Sequence, residues 1–252
     1  MNRVPGFIPS ICATALLIAG CSADRSTSPG ATRSLAPTPL IIKPTIVNPP
    51  PRSGRWAAEL SNPWLGFERG KVFNYRSQTD QGVETTVVEV TADSKVIQGV
   101  VTTVVHDQVS LNGSLTEDTY DWYAQDSHGN VWYFGEDSKQ IDHGVVVGTE
   151  GSWEAGVDGA AAGIVMLAEP KVGMKYAQES APGVAEDMAR VRSLSESVQV
   201  PYGSYDHCLE TLEWTPLDKK SREFKFYARG VGLLLTIEDK GLIRDELLSV
   251  SP

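Results

Sequence analysis

Short runs of alternating apolar and polar residues, separated by turn residues, make up the chain from Trp56 onward. The runs are rich in Val, Thr, Tyr and Trp, which is typical of antiparallel strands. The pattern predicts strands at residues 71–77, 82–91, 96–106, 117–126, 131–135, 164–168, 174–180, 185–200, 205–214, 222–228, 233–238 and 242–250. We therefore expect an all-β domain over residues 56–252, built as a single curved antiparallel sheet or half-barrel with at most one short helix.

Turn residues mark the connections between these strands. Asn112-Gly113 is a two-residue hairpin signal, and Ala92-Asp93-Ser94 is predicted to end the strand over 82–91. Residues 62–66 (N-P-W-L-G) predict a turn before the first strand. Residues 156–163 are Gly- and Ala-rich and are predicted to cross a gap or to form the short helix. Residues 185–194 fit a helix or a strand, and the turns that bracket them favour a strand.

An acidic and aromatic hairpin stands out between Glu117 and Asp142. It holds six of the chain's twenty aromatic residues and seven carboxylates, against one cation, Lys139. Thr119, Asp121 and Tyr123 are predicted to share one strand face, because successive side chains alternate. Rings on both faces of the return strand predict a strand that is covered on both sides or that lines a cleft.

The N-terminus carries a lipoprotein signal. Arg3 precedes a short apolar run over residues 7–19, which is too short for a permanent membrane span. Leu17-Ile18-Ala19-Gly20-Cys21 resembles the bacterial lipobox. The resemblance implies that residues 1–20 are a signal peptide and that Cys21 is the lipid attachment site, with a diacylglycerol thioether and an acyl chain such as palmitate on its amine. An ordinary secretory signal with a chance cysteine is the alternative.

Residues 21–55 are predicted to be a disordered tether. Seven of the fifteen prolines lie in residues 22–55, together with Ser, Thr, Ala and Gly, and such a segment cannot bury a core. In a polyproline conformation it would reach on the order of 100 Å, at about 3.1 Å per residue. Ser22 follows the cysteine in place of an aspartate that would retain a lipoprotein in the inner membrane, so we expect the outer membrane.

The charge is strongly uneven along the chain. The formal net charge is −10, but residues 22–55 hold five cations and one anion, and the remainder from Trp56 holds −15. An acidic domain repels phosphate backbones, so the composition argues against a nucleic-acid partner.

Motifs for common chemistries are missing from the sequence. Cys208 is the one cysteine left outside the signal and the lipidation site, which excludes a disulfide framework and predicts a buried, inert thiol. The four histidines have no zinc-binding spacing, and His128 is predicted to be a turn residue. No G-x-S-x-G elbow occurs. Enzyme activity is therefore uncertain and the sequence favours none.

Carboxylates are the remaining candidates for chemistry. Asp121, Glu136, Glu154 and Asp158 are predicted to converge as a calcium site if the hairpin and the following loop fold together, since oxygen ligands suit calcium. A carboxylate pair among Glu117, Asp121, Glu136 and Glu154 would also suit a hydrolase of an envelope or extracellular polymer. The simplest alternative is a solvated acidic face.

Four segments resemble an uncharacterised family of secreted bacterial proteins and lipoproteins. They are residues 122–126 (W-Y-A-Q-D), 129–136 (G-N-V-W-Y-F-G-E), 153–160 (W-E-A-G-V-D-G-A) and 227–232 (Y-A-R-G-V-G). The resemblance covers most of residues 56–250 and brings no activity with it. The final strands are also similar to periplasmic half-barrels related to lipoprotein-carrier proteins, which implies a curved sheet around an apolar cavity.

These observations predict a lipoprotein of the cell envelope with a non-catalytic binding domain. Its expected partners are the membrane, through the lipid anchor, and an apolar ligand or an envelope protein. A carboxylate-dependent hydrolase is the alternative, and a structural envelope component is the third possibility.

Overall fold

The computed structural model describes residues 55–238 and 243–252, and this part of the chain contains strands and no helix. The strands are β1 Trp56–Ala57, β2 Val72–Gln78, β3 Val83–Ile97, β4 Val100–Leu111, β5 Ser114–Asp126, β6 Val131–Asp142, β7 Val145–Gly148, β8 Trp153–Glu154, β9 Ala161–Met166, β10 Lys175–Ala177, β11 Glu179–Ser180, β12 Met188–Val200, β13 Gly203–Trp214, β14 Arg222–Ala228, β15 Gly232–Glu238 and β16 Arg244–Ser251. The prediction of an all-β fold is confirmed.

One antiparallel sheet curls until its two ends nearly meet. Its main path runs through thirteen strands in the order β10-β12-β13-β14-β15-β16-β2-β3-β4-β5-β6-β9-β11. The first and last strands of this path are consecutive in the chain, with Gln178 between them. Residues 175–180 therefore form a closing segment that pairs with β12 on one side and with β9 on the other. The predicted curved sheet is confirmed as a barrel-like shape.

Alternating burial explains the strands and defines an interior. Along β2, Phe73, Tyr75 and Ser77 are buried, whereas Arg76 and Gln78 are exposed. In antiparallel pairs, directly opposite residues lie on the same face, so the register carries this inner face from strand to strand. Tyr75 lies opposite Leu247 on one side and Thr86 on the other.

The two ends of the interior differ in chemistry. Near the β5–β6 and β14–β15 turns the inner face is apolar, and we call this the apolar end. Its buried side chains include Phe73, Val105, Tyr123, Tyr133, Leu209 and Tyr227. The opposite end, near the β4–β5 and β13–β14 turns, carries buried carboxyl groups, and we call it the acidic end.

The segment before β2 seals the apolar end. Phe67 is buried, with its ring centroid 5.8 Å from that of Tyr123 and 5.9 Å from that of Phe73. Gly66 has a φ of 71°, and a Cβ there would lie 2.0 Å from the carbonyl oxygen of Val231. Only glycine permits this approach to the β14–β15 turn. The segment over residues 56–68 thus closes the barrel where the described chain begins.

The same segment covers the outer face of the aromatic hairpin. The ring centroid of Trp56 lies 6.0 Å from that of Trp132 and 5.4 Å from that of Phe134, both nearly edge-on. Asn62 donates side-chain hydrogen bonds to the carbonyl oxygens of Gly129 (2.9 Å) and Leu167 (3.1 Å). The return strand is therefore covered on both faces, which was one of the two predicted arrangements.

Two turn predictions had different outcomes. Asn112-Gly113 does form the β4–β5 turn, with φ angles of 51° and 82°. The predicted turn at Ala92-Asp93-Ser94 is wrong, because β3 continues through it with an irregularity in its register with β4. The turn lies at Gln98-Gly99, where both residues have positive φ. A bulge absorbs the turn-forming residues without ending the strand.

Neither residues 156–163 nor residues 185–200 form a helix. Turns over residues 156–159 lead directly into β9, and β12 confirms the strand that was favoured for 185–200.

The predicted signal peptide, Cys21 and tether lie outside the described residues, as do residues 239–242. Among the described residues, no helix is long and apolar enough to cross a membrane.

Candidate functional site: a buried cluster of carboxyl groups

The acids of the aromatic hairpin face the interior rather than solvent. Asp121 lies directly opposite Glu136, and the two residues are 0% and 3% exposed. Glu117 and Asp107 are also buried, at 1% and 4%. Asp107 lies opposite Thr119, and Thr119 lies opposite Ser138. We call these acids on β4, β5 and β6 the hairpin wall.

A second group of acids faces the hairpin wall across the interior, and it surrounds a lysine. Glu213 and Glu223 lie directly opposite one another on β13 and β14. The Nζ of Lys225 lies 3.1 Å from Glu213 Oε2 and 2.9 Å from Glu223 Oε1. All three side chains are at least nine-tenths buried. We call these residues the lysine wall.

The closing segment and the residues that follow it add two more carboxyl groups. Glu179 on β11 is 4% exposed, and Asp187, just before β12, is 8% exposed. The backbone N–H groups of Gln178 and Glu179 donate to the carbonyl oxygen of Asp187 (2.7 and 3.2 Å). This contact brings the two acids together at the junction of the sheet.

Burial dominates the electrostatics of the hairpin wall. It raises the pKa of Glu117 to about 10, although the Thr119 hydroxyl, which donates to Glu117 Oε1 at 2.8 Å, lowers it. Burial likewise raises the pKa of Asp121 to about 7, and hydrogen-bond donation from Tyr133 works against this rise. The pKa of Glu136 is raised well above its ordinary value by burial and then by the nearby Glu179 and Asp121.

The lysine wall differs because it holds a counter-charge. Burial raises the pKa of Glu223 to about 7, and Lys225 is the largest influence that lowers it. Burial raises the pKa of Asp187 to about 6, and a hydrogen bond from Thr215 and the charge of Lys225 lower it. An opposite charge favours the ionised form of a carboxyl group, whereas desolvation favours the neutral form.

This arrangement can store protons. One carboxyl oxygen each of Asp107, Glu117, Asp121, Glu136 and Glu179 has no hydrogen-bond partner among the described residues. An ionised carboxylate in that situation would pay a large desolvation cost, so these groups hold protons at a pH where exposed acids have lost theirs. The raised pKa values favour protonated carboxyl groups in the hairpin wall.

The four predicted calcium ligands are brought together only in part. Asp121 and Glu136 are adjacent, but Glu154 lies opposite Gly135 and forms an ion pair with Lys95 at 2.7 Å. Asp158 is exposed in a turn, with a φ of 49°. In the part of the chain that the structure describes, no group of three or more His, Cys, Asp or Glu residues is placed to hold a metal ion. Calcium binding stays a prediction, with Asp121 and Glu136 as its remaining paired ligands.

His128 and Cys208, which the sequence also singled out, lie where they were predicted. His128 does lie in a turn, where its backbone N–H donates to Asp126 Oδ1 at 2.8 Å. Burial alone would raise the pKa of Asp126, but hydrogen bonds from Trp132, Asn130 and His128 bring it below the ordinary value. Cys208 is a buried free thiol, as predicted, and burial raises its pKa.

Most of this cluster was not predicted from the sequence, which singled out only Glu117, Asp121 and Glu136. Glu213, Glu223 and Lys225 lie on strands with an inverted pattern, in which the charged residues face inward and Leu212, Phe224 and Phe226 are half-exposed. The alternation of Glu223, Lys225 and Tyr227 against the two phenylalanines is visible in the sequence. The sequence does not show which side faces inward, because a two-residue period defines two strand faces and does not say which of them is buried.

A pocket of about 370 Å³ lies on the segment that seals the apolar end. Leu60, Phe67, Glu68 and Arg69 are among its lining residues. Its volume is within the range of small-molecule sites. The guanidinium of Arg69 is held by the carbonyl oxygens of Ala92 and Asp93, so it braces the pocket wall.

Comparisons with known proteins give little further information. No family model matches the chain, and no curated protein matches it. A solved structure that resembles it is the "crystal structure of a putative lipoprotein from Parabacteroides distasonis ATCC 8503", with a TM-score of 0.40 and 10% sequence identity. The alignment covers 75% of this chain and 99% of that one. At this TM-score the similarity carries no argument about fold or function.

Proposed function

We propose that this protein is a lipid-anchored component of the bacterial cell envelope whose β domain binds a partner without catalysing a reaction. The lipobox at Ile18-Ala19-Gly20-Cys21 supports the anchor. The Pro-rich residues 22–55 support a spacer between the lipid and the domain, since such a composition cannot form a core. Ser22 after the lipidated cysteine supports the outer membrane as the destination.

The observation that carries the non-catalytic part is the burial of the candidate acids. A hydrolase of a polymer needs two carboxyl groups in an open cleft. Asp121 and Glu136 are 0% and 3% exposed, and the rings of Tyr123 and Tyr133 stack beside them with centroids 4.7 Å apart. Glu154, on the outside, is paired with Lys95. The burial of these acids supports a binding role for the domain over hydrolysis of a polymer.

The anchor can be tested by comparing two cysteines of the N-terminus. Cys21→Ser should abolish labelling with a radioactive fatty acid and leave the protein unprocessed or released from membranes. Cys12→Ser, inside the predicted signal peptide, is the matched control and should behave like wild type. If Cys21→Ser is processed and fractionates with membranes like wild type, the lipoprotein assignment fails.

A further inference from the structure

We propose that the closing segment, residues 175–180, is a pH-sensitive latch of the barrel. The segment joins the two ends of the sheet in acid and is released from β9 as the pH rises. Release leaves the segment paired with β12 and opens a seam along β9, through which water reaches the buried carboxyl groups. The inference concerns the barrel alone and depends neither on the lipid anchor nor on the proposed binding role.

The joint between β9 and β11 is the shortest pairing on the main path of the sheet. It consists of Glu179 opposite Ala162 and Ser180 opposite Ala161. By contrast, β3 and β4 pair along almost their whole length, from Glu84 opposite Leu111 to Ile97 opposite Val100. Local opening begins where few backbone hydrogen bonds have to break. The β9–β11 joint is therefore where the closed sheet opens with the least loss of structure.

The closing segment packs directly against the backbone of β9. A Cβ at Gly163 would lie 2.2 Å from the carbonyl oxygen of Gln178. Such a distance is far inside van der Waals contact and involves backbone on the other side, so only glycine at residue 163 lets the segment close. A methyl group at this position would hold the seam open at any pH, which provides a test of the location.

Glu179 lies in this joint and faces a cluster that is almost wholly acidic. The groups that influence it come from several parts of the barrel: Asp187 before β12, Asp121 on β5, Glu136 and Tyr133 on β6, and Lys225 on β14. Lys225 is the cation among them, and its Nζ already contacts Glu213 and Glu223. Glu179 Oε1 has no hydrogen-bond partner among the described residues. An ionised Glu179 is thus poorly compensated while the seam is closed.

Release of the segment relieves this burden and sets the direction of the switch. Burial raises the pKa of Glu179 well above the ordinary 4.5, Asp187 and Asp121 raise it further, and Lys225 and a backbone hydrogen bond from Asp187 lower it. In the released segment Glu179 meets water and its pKa returns toward 4.5. The closed state therefore binds the proton more tightly, so its advantage is full below about pH 4.5 and falls as the pH rises.

Two neighbouring acids place the change near neutral pH. The pKa of Asp187 is raised by burial to about 6 and that of Asp121 to about 7. As these groups ionise, they add like charge beside Glu179 in the closed barrel. We therefore expect the seam to be closed at pH 5.5 and to open increasingly up to pH 8.5.

Hydrogen exchange followed by mass spectrometry tests the latch. The mature chain carrying Cys21→Ser is used because it needs no detergent, and rates are corrected for the pH dependence of exchange in unfolded peptides. Protection of the amides in residues 161–163 and 178–180 should fall at least tenfold between pH 5.5 and 8.5. Exchange there at pH 8.5 should not accelerate in 1 M urea, since local opening exposes little surface, whereas exchange in β3 and β4 should.

Three variants test the residues that carry the proposal. Glu179→Gln cannot ionise and should raise seam protection at pH 8.5 at least tenfold above wild type. Glu169→Gln, at an exposed acid in the connection between β9 and β10, is the matched control and should leave it unchanged. Gly163→Ala should lower seam protection at least tenfold at pH 5.5, while β3 and β4 stay protected.

Several outcomes would overturn the latch. They are seam protection that is the same at pH 5.5 and 8.5, equal effects of Glu179→Gln and Glu169→Gln, and full seam protection in Gly163→Ala. Seam exchange that follows urea in the same way as β3 and β4 would also overturn it, because the loss of protection would then reflect unfolding of the whole barrel.

Discussion

The hairpin wall and the lysine wall face the same interior and are both buried, but only the lysine wall contains a cation in contact with its acids. Glu223 has Lys225 at 2.9 Å and a pKa of about 7. Glu117 has no cation among the influences on its pKa, which reaches about 10. The comparison teaches that the same residue type is kept neutral by a proton in one wall and is moved toward ionisation by a lysine in the other.

Removal of Lys225 should have the largest effect on the free energy of unfolding. Lys225→Met deletes the charge that Glu213 and Glu223 face and should reduce the free energy of unfolding by about 3–5 kcal/mol at pH 7.5. The loss should be smaller at pH 5, because Glu223, whose pKa is about 7, can then bind a proton instead. Urea unfolding followed by tryptophan fluorescence measures both values.

Lys139→Met is the control for that variant. Lys139 also pairs with an acid, Asp137 at 3.1 Å, but the pair is partly exposed. Its loss should change stability by less than about 1 kcal/mol. If both lysine variants cost the same, or if the cost of Lys225→Met does not depend on pH, the lysine does not set the charge state of its wall.

A substitution in the hairpin wall should change the free energy of unfolding by less, and should increase it rather than reduce it. Asp121→Asn removes a carboxyl group whose pKa is raised from 3.8 to about 7, while the amide oxygen can still accept the Tyr133 hydroxyl. The free energy of unfolding should increase by about 1–4 kcal/mol at pH 8, where the wild-type group is ionised, and by less at pH 5. Chemical unfolding at the two pH values checks this.

Glu117→Gln is the companion variant in the same wall. The Glu117 carboxyl keeps its proton through pH 8 in the folded state because its pKa is about 10, whereas the unfolded chain loses this proton near the ordinary value of 4.5. Glu117→Gln should therefore also stabilise the fold more at pH 8 than at pH 5. A stabilisation by Asp121→Asn or Glu117→Gln that does not grow between pH 5 and pH 8 would show that the hairpin wall is not proton-dependent.

The sequence predicted the strands better than the site. Alternating Val, Thr and aromatic residues predicted an all-β sheet, and the faces of Thr119, Asp121 and Tyr123 followed from the two-residue period. The convergence of these acids with Glu179, Glu213 and Lys225 could not be predicted, because it depends on closure by residues 175–180 and on which faces point inward. Both are long-range properties of the pairing.

The acids of the aromatic hairpin divide between the surface and the interior. A run of seven acids with one lysine is usually solvated, and Asp137 and Asp142 do lie at the surface. Asp121, Glu117 and Glu136 are buried in the same hairpin. The alternation of side chains along each strand separates the exposed acids from the buried ones. Which face is buried depends on closure of the sheet, so the acids of one strand cannot all be predicted to be exposed.

The pH dependence of the stability of the whole chain tests the central claim most directly. The pKa values of Asp187, Asp121 and Glu223 are raised from 3.8–4.5 to about 6, 7 and 7, so the folded state keeps these protons longer than the unfolded state does. Their contribution to stability is fully present below about pH 4 and is lost as the pH rises through 6 and 7. The lowered pKa of Asp126 acts below this range. Urea unfolding of the mature Cys21→Ser chain between pH 5 and 8 should therefore show a free energy of unfolding that falls with pH. A value that is constant or rises over that range would contradict a protonated interior.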